Sequence, residues 1–357
     1  MTKKVLFIVG PALGHVGRSQ VIAAALCART SLQICFAGVT PGYGEQVIQD
    51  KFPFYKLPFG DRGDLMFAQA LESLLAQLAP DLICLDLTPI PWLNLVRFPD
   101  IRQVYITNFF LTHLCDYPTV QMSLFDRTGD QINRARIDRG LGTIFNVKDL
   151  YDRNAVLLCD PPELVRAQNA VPTHYHTVGP CTWEPEPELE LPETLNHIDN
   201  ALFISFGSTG KRPLSVSHAE CIATAVGARD IVWLSNPAHN KVQTSLTNHH
   251  AYSWLPSSQV LDRSRFVITH GGAGSTYQAL AHGTPVGIWP SHKNQTILGS
   301  VIQDLGCGRL LEDAAETTDD LAQNFDSMKS SSRILAETLK NINGPKNAAD
   351  KIMDMLP

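Results

Sequence analysis

The sequence predicts two doubly wound α/β domains, each with a parallel sheet. Three observations carry that expectation. The chain is 357 residues long, which favours two domains over one. It opens as an apolar run, Val5 to Val9, then a loop, a helix from about Ser19 to Arg29, and a second apolar run, Leu32 to Gly38. That β-loop-α-β order is the opening of a parallel sheet. Finally, an acidic, Pro-rich stretch with almost no apolar periodicity, TWEPEPELELPETLNHIDN, is followed at Ala201 to Phe206 by a second α/β opening.

The remaining elements follow from apolar runs and punctuation. Strands are expected at about Phe54 to Leu57, Leu82 to Asp86, Gln103 to Thr107 and Ala155 to Cys159 in the first half. In the second they fall at Ile231 to Leu234, Tyr252-Ser253, Phe266 to Thr269 and Val286 to Trp289. Helical patterns cover about Asp64 to Leu78, Thr119 to Arg139 and Ser275 to His282. The tail from Ser330 to Pro357 is helical with a break at Gly344-Pro345. The expected divisions are an N-terminal domain over 1–183, a linker over 184–199, a C-terminal domain over 200–343 and a final helix over 344–357.

Composition narrows the function classes. Hydrophobic residues make up 44% and charged residues 18%, enough apolar material for two cores. The net charge of -6 gives no basic excess, so no nucleic-acid partner is expected. Met1-Thr2-Lys3-Lys4 runs directly into the first strand and is too short for a targeting h-region, so no targeting segment is expected. No apolar run approaches the roughly 18 residues of a membrane span. The 8 cysteines contain no C-x-x-C pair, so reduced, mostly buried thiols in a cytoplasmic protein are expected.

Most of the chemistry concentrates in Phe266 to Gln295, FVITHGGAGSTYQALAHGTPVGIWPSHKNQ. A short buried strand leads into His270-Gly271-Gly272-Ala273-Gly274-Ser275-Thr276. Three glycines let the backbone approach a ligand, and the hydroxyls and free amides of Ser275 and Thr276 at the helix start can meet an anion. Gly283 suits the left-handed residue just past the helix end, and Pro285 cannot continue the helix. The alternative is a purely structural tight turn. The first loop, Gly10 to Ser19, is neither the dinucleotide fingerprint nor a P-loop. Gly10, Gly14 and Gly17 miss the G-x-G-x-x-G spacing, no acidic residue ends the second strand, and Arg18 stands where a P-loop has Lys.

The ordered set Trp254-Leu255-Pro256, His270-Gly271-Gly272-Ala273-Gly274-Ser275, Trp289-Pro290 and Asn294-Gln295 resembles the donor-binding signature of family 1 (UDP-glycosyltransferase-like) glycosyltransferases. The resemblance is dense from Ala251 to Gly308 and thinner elsewhere. It implies the GT-B fold: two Rossmann-like doubly wound parallel-sheet domains facing a cleft, with the last helix returning to the N-terminal domain. It also implies that His270, Gly272, Gly274, Ser275 and Thr276 bind the diphosphate, with Ser208 and Thr209 as a second phosphate-facing turn. Trp254 would stack on the base while the Leu255 backbone reads its edge; the alternative is a core Trp. Gln278 stands where the family usually has a glutamate on the ribose hydroxyls. Glutamine accepts through one oxygen only, so a thymidine donor stands beside uridine. Asn294 and Gln295 match the family's sugar-contacting Asp-Gln pair, with Asn in place of the acid. A helix cap at Asn294 is the alternative there.

The same resemblance turns the histidine of the first Gly-His loop, His15, toward the acceptor. A hydroxyl acceptor needs a base at neutral pH, and a histidine held by a carboxylate supplies one. Asp86, at the end of a predicted strand, is the candidate partner; it could instead cap the next turn. His113 is the fallback base. No D-x-D, H-E-x-x-H or G-x-S-x-G occurs, so neither a metal nor another cofactor is expected.

The expectation is therefore an inverting, metal-independent hexosyltransferase using a UDP- or dTDP-sugar donor and a small, hydrophobic acceptor, as a monomer or homodimer. The rivals are a transferase acting on a lipid-linked or polysaccharide acceptor in peripheral contact with a membrane, a non-catalytic nucleotide-sugar-binding protein, and a nucleotide-sugar epimerase.

Overall fold

A computed structural model describes residues 2–29, 31–58, 63–167, 170–184, 189–208, 210–234, 248–312 and 314–357. The chain divides into two compact units. Unit 1 is Met1–Cys181 with Asn343–Pro357, and unit 2 is Thr182–Ile342.

Unit 1 contains strands β1 (Lys4–Val9), β2 (Gln33–Thr40), β3 (Phe54–Pro58), β4 (Leu82–Asp86), β5 (Gln103–Thr107), β6 (Ala155–Leu158) and β7 (Tyr175–Thr177). They form one parallel sheet in the order β3-β2-β1-β4-β5-β6-β7. Every residue of β4 and β5 is buried, which is why these strands read as continuous apolar runs. Its helices are α1 (Leu13–Cys27), α2 (Gly44–Ile48), α3 (Gly63–Leu78), α4 (Pro89–Trp92) and α5 (Val120–Asp138). Thr119 caps α5, accepting from the Met122 amide at 3.1 Å.

α1 departs from the sequence expectation. It begins at Leu13 rather than Ser19, so His15 lies in the first turn of a helix and not in a loop. Gly14 and Gly17 gave that stretch the look of a loop, since each glycine costs a helix about 1 kcal/mol. Burial of Val16 and Gly17 against the sheet overrides that propensity.

Unit 2 repeats the plan. Strands β8 (Ala201–Ser205), β9 (Ile231–Leu234), β10 (His249–Tyr252), β11 (Ser264–Thr269), β12 (Val286–Ile288) and β13 (Gly308–Leu310) form a parallel sheet in the order β10-β9-β8-β11-β12-β13. Its helices are α6 (Val216–Val226), α7 (Ser257–Leu261), α8 (Ala273–Ala281), α9 (Lys293–Asp304) and α10 (Ala314–Leu339). Leu321, Phe325 and Met328 of α10 join Leu202, Ile204, Phe266 and Ile268 in the core. α10 starts well before the Ser330 expected from the sequence, and β10 ends at Tyr252 where a strand was expected to begin. Among the described residues no helix is long and apolar enough to cross a membrane.

In both sheets the strand order reverses once, between β1 and β4 in unit 1 and between β8 and β11 in unit 2. The connections leaving these neighbours run to opposite faces and open a crevice at the carboxyl ends of the strands. His15 follows β1 and Asp86 ends β4; Gly207 follows β8 and His270 follows β11.

The last helix, α11 (Gly344–Met355), packs against α1. Ala348, Ala349 and Ile352 are fully buried in the cluster that holds Ile22, Ala23 and Leu26. Arg29 pairs with Asp350, and the Asn347 side chain donates to Val178 O at 2.9 Å. Gly344 sits so close to the chain that a Cβ there would fall 2.7 Å from Gly179 O and closer still to Pro180 O. Gly344→Ala is expected to lift α11 from this seat and destabilise unit 1 by about 1–3 kcal/mol. The denaturant midpoint measures this; an unchanged midpoint would show that the helix start adjusts freely.

Candidate functional site

In unit 1 the crevice holds a buried polar cluster. His15 Nδ1 lies 2.6 Å from Asp86 Oδ1, and Asp86 is fully buried. An ionised carboxylate only accepts, so Nδ1 carries a proton and donates, and in the neutral ring the free lone pair is then on Nε2. The His15 side chain is 21% exposed, so that nitrogen belongs to a ring with access to solvent. Asp86 accepts further from Arg18, Nε to Oδ2 at 2.9 Å and Nη2 to Oδ1 at 2.5 Å, and from Ser19 Oγ at 3.0 Å. Its carboxylate is thus committed to side chains, and the turn-capping alternative does not describe it.

Burial alone would push the Asp86 carboxyl up. The Arg18 and His15 charges, with their hydrogen bonds, outweigh burial and hold it below the usual carboxylate range. Burial likewise opposes the charge on Arg18, but Asp86 reverses the balance and raises it. The cluster continues outward. Arg18 Nη1 donates to Asn108 Oδ1 at 2.6 Å, Asn108 Nδ2 donates to Asp160 Oδ1 at 3.0 Å, and Asp160 Oδ2 accepts from the Phe109 amide at 2.6 Å. His113, the fallback base, has Nδ1 3.1 Å from the Tyr151 hydroxyl, and burial lowers its proton affinity.

In unit 2, α8 begins at Ala273 with Gly272 at its N-cap and no side chain capping it. Gly272 has no side chain to cap the first-turn amides, and the positive end of the helix dipole lies just past the end of β11. His270 is 6% exposed and wedged between two glycines. A Cβ on Gly207 would fall 2.7 Å from His270 Cε1, and one on Gly272 would fall 2.6 Å from Nε2. Gly207 also has φ +54, where a side chain is strained. Burial, then the nearby His292, pushes the His270 imidazole down to about 4, so it is neutral at neutral pH. Its Nδ1 is buried with no partner among the described residues.

The other residues singled out from the sequence distribute as follows. Ser275 is half-buried in the third position of α8, and Gly274 beside it is exposed. Thr276 is fully buried; its amide bonds Gly272 O at 3.1 Å, and its hydroxyl lies 3.3 Å from Thr269 Oγ1. Of the two hydroxyls expected to face an anion, the structure leaves only that of Ser275 near the opening. Thr276 instead braces the strand-to-helix turn, where Thr269 Oγ1 also accepts from the Gly271 amide at 2.9 Å.

Gln278 is half-buried, one turn beyond Gly274 and Ser275 on the same helix face. Trp254 is 43% exposed, so it is not a core residue, while Leu255 behind it is buried. Ser208 is half-buried after β8, and Thr209 lies outside the described residues. Asn294 occupies the second position of α9, whose N-cap is His292, so Asn294 is not the cap. Gln295 is buried, and its Oε1 accepts from the Ser291 amide at 2.7 Å. Ser291 Oγ in turn accepts from the Lys211 and Arg212 amides at 2.8 and 3.0 Å, tying the loop after β12 to the loop after β8.

Comparison with known proteins bears on this arrangement. Residues 222–352 match the family described as "Erythromycin biosynthesis protein CIII-like, C-terminal domain". A PGL/p-HBAD biosynthesis glycosyltransferase of Mycobacterium tuberculosis is 28% identical over 176 residues, 48% of this chain and 39% of that protein. An uncharacterised UDP-glucosyltransferase of Bacillus subtilis is 25% identical over 189 residues, 50% of this chain and 46% of that protein. The matched stretch thus spans less than half the length of these relatives. The crystal structure of the glycotransferase of kitacinnamycin superposes with a TM-score of 0.74 at 16% identity, covering 100% of both chains. The chain therefore has the GT-B fold, and its C-terminal part matches the CIII-like family. Unit 1 carries the His–Asp pair, and unit 2 carries the Gly-rich turn and the start of α8.

Arg18, Ser19, Asn108 and Asp160 are members of the unit 1 cluster that sequence reading missed, and Arg18 is the one that pairs directly with Asp86 at two points. The available signal was a Gly-His-x-x-Arg spacing, which places His15 and Arg18 one helical turn apart once the helix is known to begin at Leu13. The buried pair sets a stability expectation. Asp86→Asn leaves the Arg18 guanidinium buried without its counter-charge, a loss of about 3–5 kcal/mol. His15→Ala, at a partly exposed ring, is expected to cost far less. Because the Asp86 carboxyl is held low in the folded state, its stabilisation is full above the unfolded carboxyl range. It is lost as pH falls through the lower folded value. Urea unfolding at pH 7 and pH 3 measures both effects; equal midpoints for Asp86→Asn and wild type at pH 7 would contradict the charge pairing.

Proposed function

We propose that this protein is an inverting glycosyltransferase. It moves a sugar from a UDP- or dTDP-sugar to a hydroxyl of a small, hydrophobic acceptor, without a metal ion. The observation that carries the reading is the His15–Asp86 pair in unit 1, with Nδ1 on a buried carboxylate and the ring partly exposed. A protein that only bound nucleotide sugars would have no use for an oriented base.

His15 Nε2 takes the proton of the acceptor hydroxyl as its oxygen attacks the anomeric carbon. The bond to the diphosphate breaks on the opposite face, so the configuration inverts. Asp86 keeps the ring in the required tautomer and stabilises the imidazolium that forms. The departing diphosphate carries the negative charge, and the open N-terminus of α8 is suited to receive it. His270, neutral and locked between Gly207 and Gly272, donates to it without competing for its proton. Ser275 and Ser208 add hydroxyls at the same edge. Exposed Trp254 stacks on the base with Leu255 behind it, Gln278 meets the ribose, and Asn294 faces the sugar while buried Gln295 holds the adjoining loop through Ser291. In this reading the α8 amides take the part a divalent ion plays in other transferases, so a chelator leaves turnover unchanged.

The test pairs binding with turnover. UDP and dTDP are expected to raise the melting temperature, with dTDP at least as effective as UDP because Gln278 lacks one acceptor oxygen of a glutamate. His15→Ala is expected to lower turnover by about 10²–10⁴-fold and to leave nucleotide affinity unchanged. Full turnover in His15→Ala places the base elsewhere. Nucleotide binding with no turnover across an acceptor panel favours a non-catalytic binder.

A further inference from the structure

The Arg18 side chain carries an inference that rests on the base reading above. Three of its donors are used, two on Asp86 and one on Asn108, at 2.5–2.9 Å. Arg18 is 8% exposed and Asp86 is fully buried. A planar guanidinium grips a carboxylate at two points and removes its freedom to rotate. The oxygen it shares with His15, Oδ1, is the one that orients the imidazole. We propose that Arg18 is a positioning residue for the base: its fork fixes the Asp86 carboxylate in one plane, so that His15 keeps Nδ1 on Oδ1 and presents Nε2 to the acceptor.

The alternative is that Arg18 only compensates charge in a buried core. Two features favour positioning. The fork extends to Asn108, which Asp160 holds, so Arg18 is itself fixed by the strand ends of β5 and β6. Arg18 also lies one turn after His15 on α1, so base and clamp move as one rigid element.

The arrangement has an electrostatic consequence. A positive charge on Arg18 keeps the carboxylate ionised and also opposes a second positive charge on His15. Other titratable groups face the pair. Cys84 on β4, Tyr105 on β5 and Cys181 are all pushed up by burial and stay neutral through the working range. Cys159 and Asp160 stand beyond β6, and Ser19 on α1 contributes no charge. Arg18 is therefore the group whose removal changes the proton balance of the His15–Asp86 pair. Without it, burial pushes the carboxyl up, and a buried carboxylate no longer neutralised favours protonation of the pair.

The experiment needs no acceptor. The full chain, labelled with ¹⁵N-histidine, is titrated by NMR as wild type, Arg18→Met, Arg18→Lys and Ser19→Ala. Wild type is expected to show a protonated, hydrogen-bonded Nδ1 on His15. In Arg18→Met the titration of the His15–Asp86 pair moves to higher pH by about 1–3 units, the effect of losing an opposite charge at contact. Arg18→Lys restores the charge without the fork, so the titration returns close to wild type but the protected Nδ1 proton signal is lost. Ser19→Ala removes one hydrogen bond without a charge and leaves the titration in place. Where turnover is measurable, Arg18→Lys lowers kcat about 10²-fold at unchanged KM for the donor.

A pair titration in Arg18→Met that matches wild type overturns the proposal. So does a sharp, protected Nδ1 proton in Arg18→Lys, which would show that charge alone suffices; this second result decides the matter even if Arg18→Met does not fold. Full turnover in His15→Ala would instead remove the base reading, a failure separate from either.

Discussion

Each sheet reverses its strand order once, and everything functional about this chain depends on that constraint. In a parallel sheet wound in one direction, successive helices cover one face and leave no opening at the strand ends. Reversal sends the connections after β1 and β4, and after β8 and β11, to opposite faces. The candidate site residues sit at or just past the ends of those four strands: His15 and Asp86 in unit 1, Gly207 and His270 in unit 2. Parallel strands also place all their carboxyl ends on one edge. The turn after β12 therefore joins the unit 2 set through Ser291, although it is distant in sequence from Lys211.

The two histidines at these openings have opposite electrostatic settings. His15 faces a carboxylate, and any positive charge it gains is met by Asp86. His270 faces buried backbone, glycines and His292, and burial keeps it neutral. A proton acceptor requires the first setting. A donor to an anion that must not itself become the acid benefits from the second. Residue type alone does not separate these roles, because both are histidines next to glycines. The difference arises from what the fold packs around each ring.

Much of this was legible in the sequence, and the limits have physical causes. Central strands such as β1 and β4 are buried on both faces, so they read as unbroken apolar runs. β7, Tyr175-His176-Thr177, and β13, Gly308-Arg309-Leu310, are three-residue edge strands with polar residues, and they fall below what a pattern of that length can show. The start of α1 was misplaced because Gly14 and Gly17 signal a loop, whereas packing decides the matter. The Gly-rich turn and the open end of α8 could be read because glycine and helix-start chemistry are local. The burial of Thr276 could not, since it depends on Thr269 across the turn. Arg18 is the largest omission. Its partner Asp86 lies 68 residues away, and nothing local in a sequence states that an arginine will be buried.

That omission also alters how Asp86 should be understood. A carboxylate that merely orients a histidine could be replaced by a neutral amide at modest cost to the fold. Here Asp86 sits at the centre of a set in which Arg18 is the permanent cation and His15 is the ring the proposed reaction would charge. With His15 neutral, the three groups sum to zero charge, the state least penalised by a buried site. In the proposed reaction, taking a proton from an acceptor would add one unit of charge at the exposed end of the set, where solvent reaches His15. The permanent pair lies at the buried end, where a change of charge would cost most. The geometry thus puts the buried guanidinium of Arg18 and the partly exposed ring of His15 on the same carboxylate, along a single turn of α1.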